Sequence, residues 1–514
     1  MSFFEALAAG FGLVAQWESL FFLALGIAVG VFAGAIPGMS ATMAVALTLP
    51  FTFALDPIFG ILLLLGVYKG GIFGGSIPAI LIRTPGTPAS SATALDGYPM
   101  AEQGKAGKAL GMALYASCIA DFVSNIALIV FAGWLAQFAM NFGPPEFFTL
   151  IVFSLTIIAG VSGDSLTKGI VSAVIGLLLA TVGLDLIFGT NRFTFGNANL
   201  MGGLNFIAVL IGLFALPEIF AHVRLPRERD GKVRGLGHVG VAFDELKRCF
   251  KSIFRGSLIG VFMGSIPGIG AAPSAFLSYS EARRTSPNQA NFGKGEIEGV
   301  AAAEAGNNGV AGATLIPLLS LGIPGDVITA IIIGAFMVHD LQPGPMLFQT
   351  HADIIYALFI GLIVSSVLLF FIGSVAIRGF RYVADIPPNL LFPSVLVLCI
   401  FGVYAVNNSA FDVGVMFAMG LLGYAMVLLR FPPAPFLIAF ILGPLLENNF
   451  RQSLLMSQGA PEIFTRGPIT WTFWALTLLA LAFIIRTTVS NARLKRRLRE
   501  ESRRHGEGQD EATG

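Results

Sequence analysis

Pro-Gly pairs interrupt or adjoin apolar stretches of this sequence, and each pair has hydroxyl or amide side chains close by. Four such pairs are Pro37-Gly38, Pro85-Gly86, Pro267-Gly268 and Pro324-Gly325. Proline removes a backbone donor and glycine permits conformations that are closed to other residues, so each pair predicts a break in a helix. At a break, free N–H groups and the positive helix end attract anions, while unwound carbonyls can hold a cation. The pairs therefore predict a binding site.

The residues assigned to this site are the breaks and the polar side chains beside them. The candidates for substrate binding are Pro37, Gly38, Ser40, Thr42, Lys69, Thr84, Gly86, Thr87, Pro267, Gly268, Asn307, Asn308, Pro324 and Gly325. Ser40, Asn307 and Asn308 are also candidates for holding a sodium ion. The alternative is that the breaks are kinks and packing glycines without a ligand.

Three ionisable residues in or beside apolar runs have two interpretations each. Lys69 ends the apolar run 58–68, which is a costly place for a cation unless it is paired or near the membrane surface. It could meet a substrate carboxylate, but snorkelling to the lipid headgroups is the favoured interpretation. Glu304 and Asp326 are the corresponding acids further along the chain, and each could serve a cation site or cap a helix.

Motifs of soluble catalysis are missing from the sequence. It contains neither the G-x-x-x-x-G-K-[ST] loop of nucleotide hydrolysis nor an HExxH zinc motif, and its five histidines include no pair at helical ligand spacing. We therefore expect no enzyme activity, no catalytic residue and no cofactor, and a sodium ion stays a candidate ligand of the polar groups beside the breaks.

The composition places these motifs in a membrane protein. Of 514 residues, 55% are hydrophobic and 12% are charged, which is too much apolar surface for a water-soluble domain to cover. Continuous apolar runs such as 20–35, 170–187 and 354–377 approach the roughly 20 residues that cross a bilayer as a helix. The runs do not alternate, which excludes a strand barrel. We predict an all-α polytopic membrane protein with about 11 to 12 hydrophobic segments.

An internal repeat relates the two halves of the chain. GVFAGAIPGMSA at 30–41 and GVFMGSIPGIGA at 260–271 are identical at eight of twelve positions. A weaker match relates residues 68–86 to residues 307–325. The repeat predicts a first transmembrane half, a basic linker, a second transmembrane half and a polar tail, at 1–222, 223–253, 254–486 and 487–514.

Positive charge predicts how the halves are oriented. Nine of the 31 basic residues lie between Arg224 and Arg255, and eight more lie between Arg486 and Arg504. The positive-inside rule places both segments, and hence the C-terminus, in the cytoplasm. The residues before Leu20 carry only acidic charges, which favours an outside N-terminus and an odd number of crossings in the first half. This pattern predicts inverted-topology repeats with broken helices or re-entrant hairpins.

The polar tail has no apolar pattern of its own. Its sequence from Arg493, RLKRRLREESRRHGEGQDEATG, is rich in charge. Disorder after a short basic stretch is the expected behaviour, and binding to anionic lipid is the alternative.

Four segments, in this order, resemble the TctA family, the large membrane subunit of the tripartite tricarboxylate transporters. They are residues 68–110, 178–196, 303–325 and 431–454, and the similarity extends over nearly the whole chain. The resemblance implies a multi-pass permease of the bacterial-type inner membrane that imports di- or tricarboxylates. It further implies a small four-helix membrane subunit (TctB-like), an extracytoplasmic binding protein (TctC-like), and symport driven by a sodium or proton gradient.

Two other classes of function remain as alternatives, a gated anion channel and a membrane scaffold without transport. A channel would show lines of charge or a polar stripe along continuous helices, whereas this sequence concentrates polarity at interrupted hairpins. No feature of the sequence favours the scaffold.

Opposite orientation of the two halves can be tested by labelling. In a variant without Cys118, Cys249 and Cys399, single cysteines at Ser2→Cys and Gly235→Cys should react with a membrane-impermeant thiol reagent from opposite sides. The physical reason is the difference in positive charge around the two positions. Labelling of both from the same side would contradict the inverted arrangement.

Overall fold

A computed structural model describes residues 3–161, 165–185, 187–224, 239–384 and 388–488. Within these ranges almost all regular structure is helical, and the strands form one two-residue hairpin, Gly183–Leu184 (β1) paired antiparallel with Asn191–Arg192 (β2). The prediction of an all-α polytopic membrane protein is confirmed.

The first half of the chain contains ten helices among the described residues. They are α1 Phe3–Val14, α2 Trp17–Ala35, α3 Ala41–Thr48, α4 Pro57–Gly74, α5 Ser76–Ile82, α6 Ser90–Glu102, α7 Ala106–Ala139, α8 Pro144–Val161, α9 Leu166–Ala180 and α10 Phe206–Arg224.

The described part of the second half contributes eleven more. They are α11 Phe243–Gly264, α12 Ala271–Thr285, α13 Ile297–Ala313, α14 Leu315–Leu321, α15 Val327–Val338, α16 Leu347–Thr350, α17 Ala352–Ala384, α18 Pro388–Asn407, α19 Ala410–Leu428, α20 Pro433–Met456 and α21 Pro468–Thr488.

Eight spans in the described ranges are long and apolar enough to cross a membrane, with α4 and α5 counted together. Five shorter apolar helices of 10–17 residues accompany them, so the predicted hydrophobic segments include helices that are too short to cross. The apolar run 170–187 is one of these cases. Its helix, α9, ends at Ala180, and Gly183 with φ +125° leads into the hairpin.

Glycine lets two helix pairs pack at backbone contact, one pair in each half. Gly26, Gly30 and Gly34 of α2 meet successive turns of α4, and Gly256, Gly260 and Gly264 of α11 meet successive turns of α13. A Cβ added at Gly260 would lie 2.7 Å from the Cα of Gly309, so no larger residue fits without moving a helix. In each pair the contacts advance in the same direction along both helices. The two helices of each pair are therefore parallel, and α3 or α12 lies between them in the chain.

The order of elements supports the repeat. Helices α2 to α6 and α11 to α15 follow each other with the same interruptions, and α10 packs on α19 as α20 packs on α9. The halves thus share one architecture and exchange equivalent contacts. The opposite orientation of the halves in the membrane stays a prediction.

The predicted domain boundaries remain predictions as well. Helix α10 runs to Arg224 and α11 begins at Phe243, so helical structure enters the predicted linker 223–253 from both sides. Residues 225–238 and 489–514 lie outside the described residues, and with them most of the basic linker and the whole disordered or lipid-binding tail that the sequence predicts.

A charged cluster joins the β-hairpin to α20. Arg451 contacts Asp185 at 2.8 Å, and Arg192 contacts Glu447 at 2.6 Å. Backbone N–H groups of Phe188 and Ile187, together with Arg451, hold the pKa of Asp185 below its usual value. The cluster fixes the connection between α9 and α10 against the second half.

Candidate functional site

The repeated Pro-Gly motifs form two loops, each with its glycine in a left-handed backbone conformation. The first Pro-Gly loop, residues 36–40, joins α2 to α3, and the second Pro-Gly loop, residues 265–270, joins α11 to α12. Gly38 has φ +95° and Gly268 has φ +86°, values that L-residues with a side chain rarely adopt. The predicted requirement for glycine at these two positions is therefore met in the backbone itself.

Each of the other two Pro-Gly pairs is preceded by an additional helix interruption. Helix α4 gives way to α5 at Gly75, and α13 gives way to α14 at Thr314. Each interruption precedes a proline, Pro78 or Pro317, that cannot donate to the carbonyl four residues back. Pro85-Gly86 and Pro324-Gly325 instead lie in the loops that leave the short helices. Both pairs thus lie between helices, and the interruptions at Gly75 and Thr314 are additional breaks about three helical turns earlier.

The loops return to the interruptions in both halves. The N–H of Gly86 donates to the carbonyl of Gly75 at 3.0 Å, and a Cβ added at Gly325 would lie 2.7 Å from Thr314 Cα. In the second half the N–H of Gly268 donates to the carbonyl of Gly325 at 2.7 Å. The structure therefore brings the predicted break residues together as two clusters, one in each half.

Polar contacts between the segment α4–α5 and the segment α13–α15 join the two clusters. The hydroxyl of Tyr68 lies 3.2 Å from Thr314 Oγ1 and donates to Asp326 Oδ2 at 3.0 Å. Ser76 Oγ, two turns further along, donates to Glu304 Oε1 at 2.5 Å. As the chain advances from 68 to 76 on one side, the partners go back from 314 to 304 on the other. The two interrupted helices thus cross the interface in opposite directions.

Glu304 lies fully buried at this interface. Its carboxylate accepts hydrogen bonds from Ser76 and Thr93 at Oε1, and from Ser117 at 3.0 Å and Asn308 at 3.1 Å at Oε2. These donors belong to α5, α6, α7 and α13. Hydroxyl and amide donors from four helices therefore surround one carboxylate, and Asn308 is engaged by it.

Lys69 forms a buried ion pair. Its Nζ donates to both oxygens of Asp121, at 2.6 and 2.8 Å, and to Asn125 Oδ1 at 2.9 Å, and the side chain is 1% exposed. Ser366 of α17 donates to Asp121 at 2.6 Å. The favoured interpretation that Lys69 snorkels to the headgroups is wrong, because the paired carboxylate holds it in the interior. Its donors are also engaged by protein groups instead of being offered to a substrate.

Asn307 stands apart from its neighbour. It is 1% exposed, and neither its amide nitrogen nor its amide oxygen has a hydrogen-bond partner among the described residues. The hydroxyl of Ser278 on α12 is likewise buried without a partner, whereas Ser274 donates to the carbonyl of Gly306 at 2.8 Å. Burying unpaired polar groups costs free energy, so an amide in this state is free to bind a ligand.

Several predicted hydroxyls act as helix caps. Ser40 accepts from the N–H of Met43 at 3.1 Å at the start of α3, and it also hydrogen-bonds Glu218 of α10. Thr87 accepts from the N–H of Ser90 at 3.2 Å. Of the two interpretations of Asp326, helix capping is confirmed, since its carboxylate accepts from the N–H of Thr329 at 2.7 Å.

Other predicted residues have local contacts only. Thr84 Oγ1 lies 3.3 Å from the carbonyl of Ile82, to which it donates, and Thr42 lies in the first turn of α3. Pro37 and Pro267 belong to the Pro-Gly loops, and the latter is buried.

The sequence reasoning missed the polar face of α7. Ser117, Asp121 and Asn125 recur at four-residue spacing inside an apolar helix, which places them on one face. Polar residues at helical spacing within a membrane span are a signal of internal partners, and this signal was available in the sequence. Thr93 carries no comparable pattern.

The next question is whether His, Cys, Asp or Glu side chains could ligate a metal ion. Among the described residues no group of three or more His, Cys, Asp or Glu side chains is arranged to hold a metal ion. The structure does not address sodium, whose candidate ligands were hydroxyl and amide groups.

Comparison with known proteins places these features in a family. The model of the Tripartite tricarboxylate transporter TctA family matches residues 20–438. No solved structure matches the chain.

Two curated relatives come from Agrobacterium vitis. "Uncharacterized 52.8 kDa protein in TAR-I ttuC' 3'region" is 34% identical over 495 residues, covering 96% of this chain and 99% of that protein. "Uncharacterized protein in TAR-II ttuC' 3'region" is 34% identical over 238 residues, covering 46% of this chain and 97% of that protein.

The ion pair between Lys69 and Asp121 predicts a specific pattern of stability. Lys69→Met leaves a buried carboxylate without its cation and should destabilise the protein by roughly 3–5 kcal/mol. Lys69→Met combined with Asp121→Leu removes both charges and should recover most of the loss. Thermal unfolding of the purified variants measures both effects, with transport as a second readout. A double variant that is as unstable as the single one, or stable but unable to transport, would contradict a purely structural role for Lys69.

Proposed function

Because the chain belongs to the TctA family of tripartite tricarboxylate transporters, we propose that it is the permease subunit of a binding-protein-dependent secondary transporter. It imports di- or tricarboxylate anions and draws on a sodium or proton gradient. The observation that carries this proposal is the pair of matched Pro-Gly loops, each packed against an interrupted helix and connected through α4 and α13.

The chemistry of the substrate determines what the site must provide. A carboxylate with two or three charges cannot cross hydrocarbon unaided. Lys69, the cation in the middle of α4, is held by Asp121. Compensation of the substrate charge therefore comes from the helix N-termini that follow the Pro-Gly loops, from hydroxyls, and from a coupled cation.

We assign the substrate to the space between the two Pro-Gly loops. Gly38 and Ser40 belong to the first loop and Gly268 belongs to the second. Asn307 contributes an amide that has no partner within the described part of the chain. Asn307 and Ser40 also remain candidates for a sodium ion. Asn308 is less suited to either role because it bonds Glu304 and Ser117.

The same proposal extends to partners and location. A small TctB-like membrane subunit and a TctC-like extracytoplasmic binding protein complete the system, and the binding protein selects the carboxylate. The permease lies in the inner membrane with its C-terminus in the cytoplasm, in keeping with the basic segments of the sequence.

Accumulation in vesicles tests this function. The chain is reconstituted with its membrane partner subunit and supplied with labelled citrate, tartrate or succinate, with and without the binding protein. Uptake above the outside concentration, dependent on an ion gradient and on the binding protein, is the expected result. Uptake that only equalises the two concentrations would indicate a channel, and equally fast uptake by the permease alone would contradict dependence on partners.

Substitutions in the Pro-Gly loops should abolish uptake. Gly38→Leu and Gly268→Leu force a side chain into a left-handed backbone conformation, whereas Gly133→Leu introduces the same side chain where nothing lies within 4 Å. We expect the first two variants to insert in the membrane yet lose transport, and the third to retain it. Normal transport by the loop variants, or loss of transport only because the variants fail to insert in the membrane, would indicate that the loops serve packing and do not bind the substrate.

Loss of single hydrogen-bonding groups should have a milder effect. Ser40→Ala and Asn307→Ala should each weaken the apparent affinity for substrate or ion by about tenfold, or ~1.4 kcal/mol. Initial uptake rates over a range of concentrations measure the change. Unaltered affinity in both variants would place the ligand elsewhere.

A further inference from the structure

Glu304 differs from Asp326, which caps a helix, and from Asp121, which forms an ion pair. It lies in the middle of α13, is 0% exposed, and belongs to the second half, while three of its four donors belong to the first. Those three are Ser76, Thr93 and Ser117. Its carboxylate is thus a direct polar link between the halves.

The partners of Glu304 are all neutral, as are those of Glu298, whereas Asp121 is paired with a cation. Asp121 has the ammonium of Lys69 at 2.6 Å. Asp96 accepts from three backbone N–H groups at 2.8 to 2.9 Å and from Tyr279 at 2.9 Å, and Asp326 caps a helix. The hydrogen bonds of Glu304 come from three hydroxyls and one amide, which carry no compensating charge. A buried charge without a counter-charge is costly, and binding a cation removes that cost.

A proton is the cation that this cluster accommodates. The donors already lie at hydrogen-bond distance from both carboxylate oxygens, with Ser76 at 2.5 Å, so an ion would have to push them apart. Asn308 presents its Nδ2 to Oε2 at 3.1 Å, and an N–H group does not ligate a metal cation. A protonated carboxyl needs only one hydroxyl to turn from donor to acceptor, which serine and threonine do by rotation.

Other ionisable groups surround Glu304 on each neighbouring helix, and protein groups engage most of them. On α4, Lys69 is paired with Asp121 of α7, and Tyr68 is bonded to Asp326. On α6, Asp96 is bonded to Tyr279 of α12, and on α13 itself Glu298 is bonded to Ser252 and Ser286. Cys118 of α7 and Cys249 of α11 are free thiols. Helix α5 carries no ionisable side chain. Lys69 is therefore paired with Asp121 and is not a counter-charge for Glu304.

We propose that Glu304 binds and releases the proton that drives transport, an inference that rests on the proposed function and specifies its coupling ion. A proton from water on one side of the membrane adds to a carboxylate oxygen of Glu304. The charge-assisted hydrogen bonds from Ser76, Thr93 and Ser117 become ordinary ones, roughly half as strong. The contact between the halves weakens, the halves move relative to each other, and the proton leaves to water on the other side.

Infrared difference spectroscopy tests the protonation step without a substrate. The full chain, purified with its membrane partner, is titrated between about pH 4 and pH 9. The protonated-carboxyl band that appears on acidification should contain a component in the wild type that is absent from Glu304→Gln, over the bands of exposed acids that both share. Glu298→Gln is the matched control, since it alters a 7% exposed acid on the same helix that also accepts from two serines, and it should keep the band.

Ser117→Ala provides a second variant in case Glu304→Gln does not fold. Removing this hydroxyl takes away a donor to the charged form, so the band should persist to higher pH than in the wild type. Absence of any titrating band that depends on residue 304, together with an unshifted titration in Ser117→Ala, would overturn the proposal.

Transport measurements test the coupling step. With the membrane potential clamped at zero, a pH difference of one unit supports up to about tenfold accumulation per coupled proton. Glu304→Gln should exchange labelled citrate, tartrate or succinate across the membrane yet show no accumulation, and Glu298→Gln should behave as the wild type. Accumulation by Glu304→Gln, or wild-type accumulation that responds to sodium and not to pH, would overturn the proposal while leaving the transporter function standing. If the wild type moved none of these anions, the proposed function would fail, and the infrared titration alone would decide whether Glu304 binds a proton.

Discussion

The absence of water inside a membrane requires every buried polar group to find its partner within the protein. In this chain the requirement falls on α4 and α13, which are interrupted helices with polar side chains along their contact. Tyr68 reaches across to Thr314 and Asp326, and Ser76 reaches across to Glu304. These contacts hold the two halves together at their broken segments. The glycine-packed pairs α2 with α4 and α11 with α13 then place each Pro-Gly loop beside the interruption of its own half.

The two halves share an architecture but differ in chemistry at equivalent positions. In the alignment of residues 68–86 with 307–325, Lys69 corresponds to Asn308 and Tyr68 to Asn307. The first half therefore supplies a cation that is neutralised by Asp121, and the second supplies an unpartnered amide at Asn307.

Much of the fold could be predicted from the sequence because its determinants are local. Continuous apolar runs specify membrane helices, and the repeated motif at Gly38 and Gly268 specifies two turns that need a left-handed residue. The additional interruptions at Gly75 and Thr314 were missed because proline acts on the carbonyl four residues before it, an effect that Pro78 and Pro317 display without a glycine beside them.

The polar partners could not be predicted in the same way. Lys69 was interpreted as snorkelling because its partner Asp121 is 52 residues away and the pairing depends on how α4 packs against α7. The donors around Glu304 come from four helices, and a single sequence does not state which faces will meet. The four-residue spacing of Ser117, Asp121 and Asn125 indicates that α7 has internal partners, but tertiary packing decides which ones they are.

The central claim is that one substrate site lies between the two Pro-Gly loops, with both halves contributing to it. A structure determined experimentally for the complex while it holds a transported carboxylate is the most direct measurement. The account predicts density for the anion in contact with residues 36–40 and 265–270 and within hydrogen-bond reach of Asn307. Density against one half alone, or in a channel along uninterrupted helices, would contradict it.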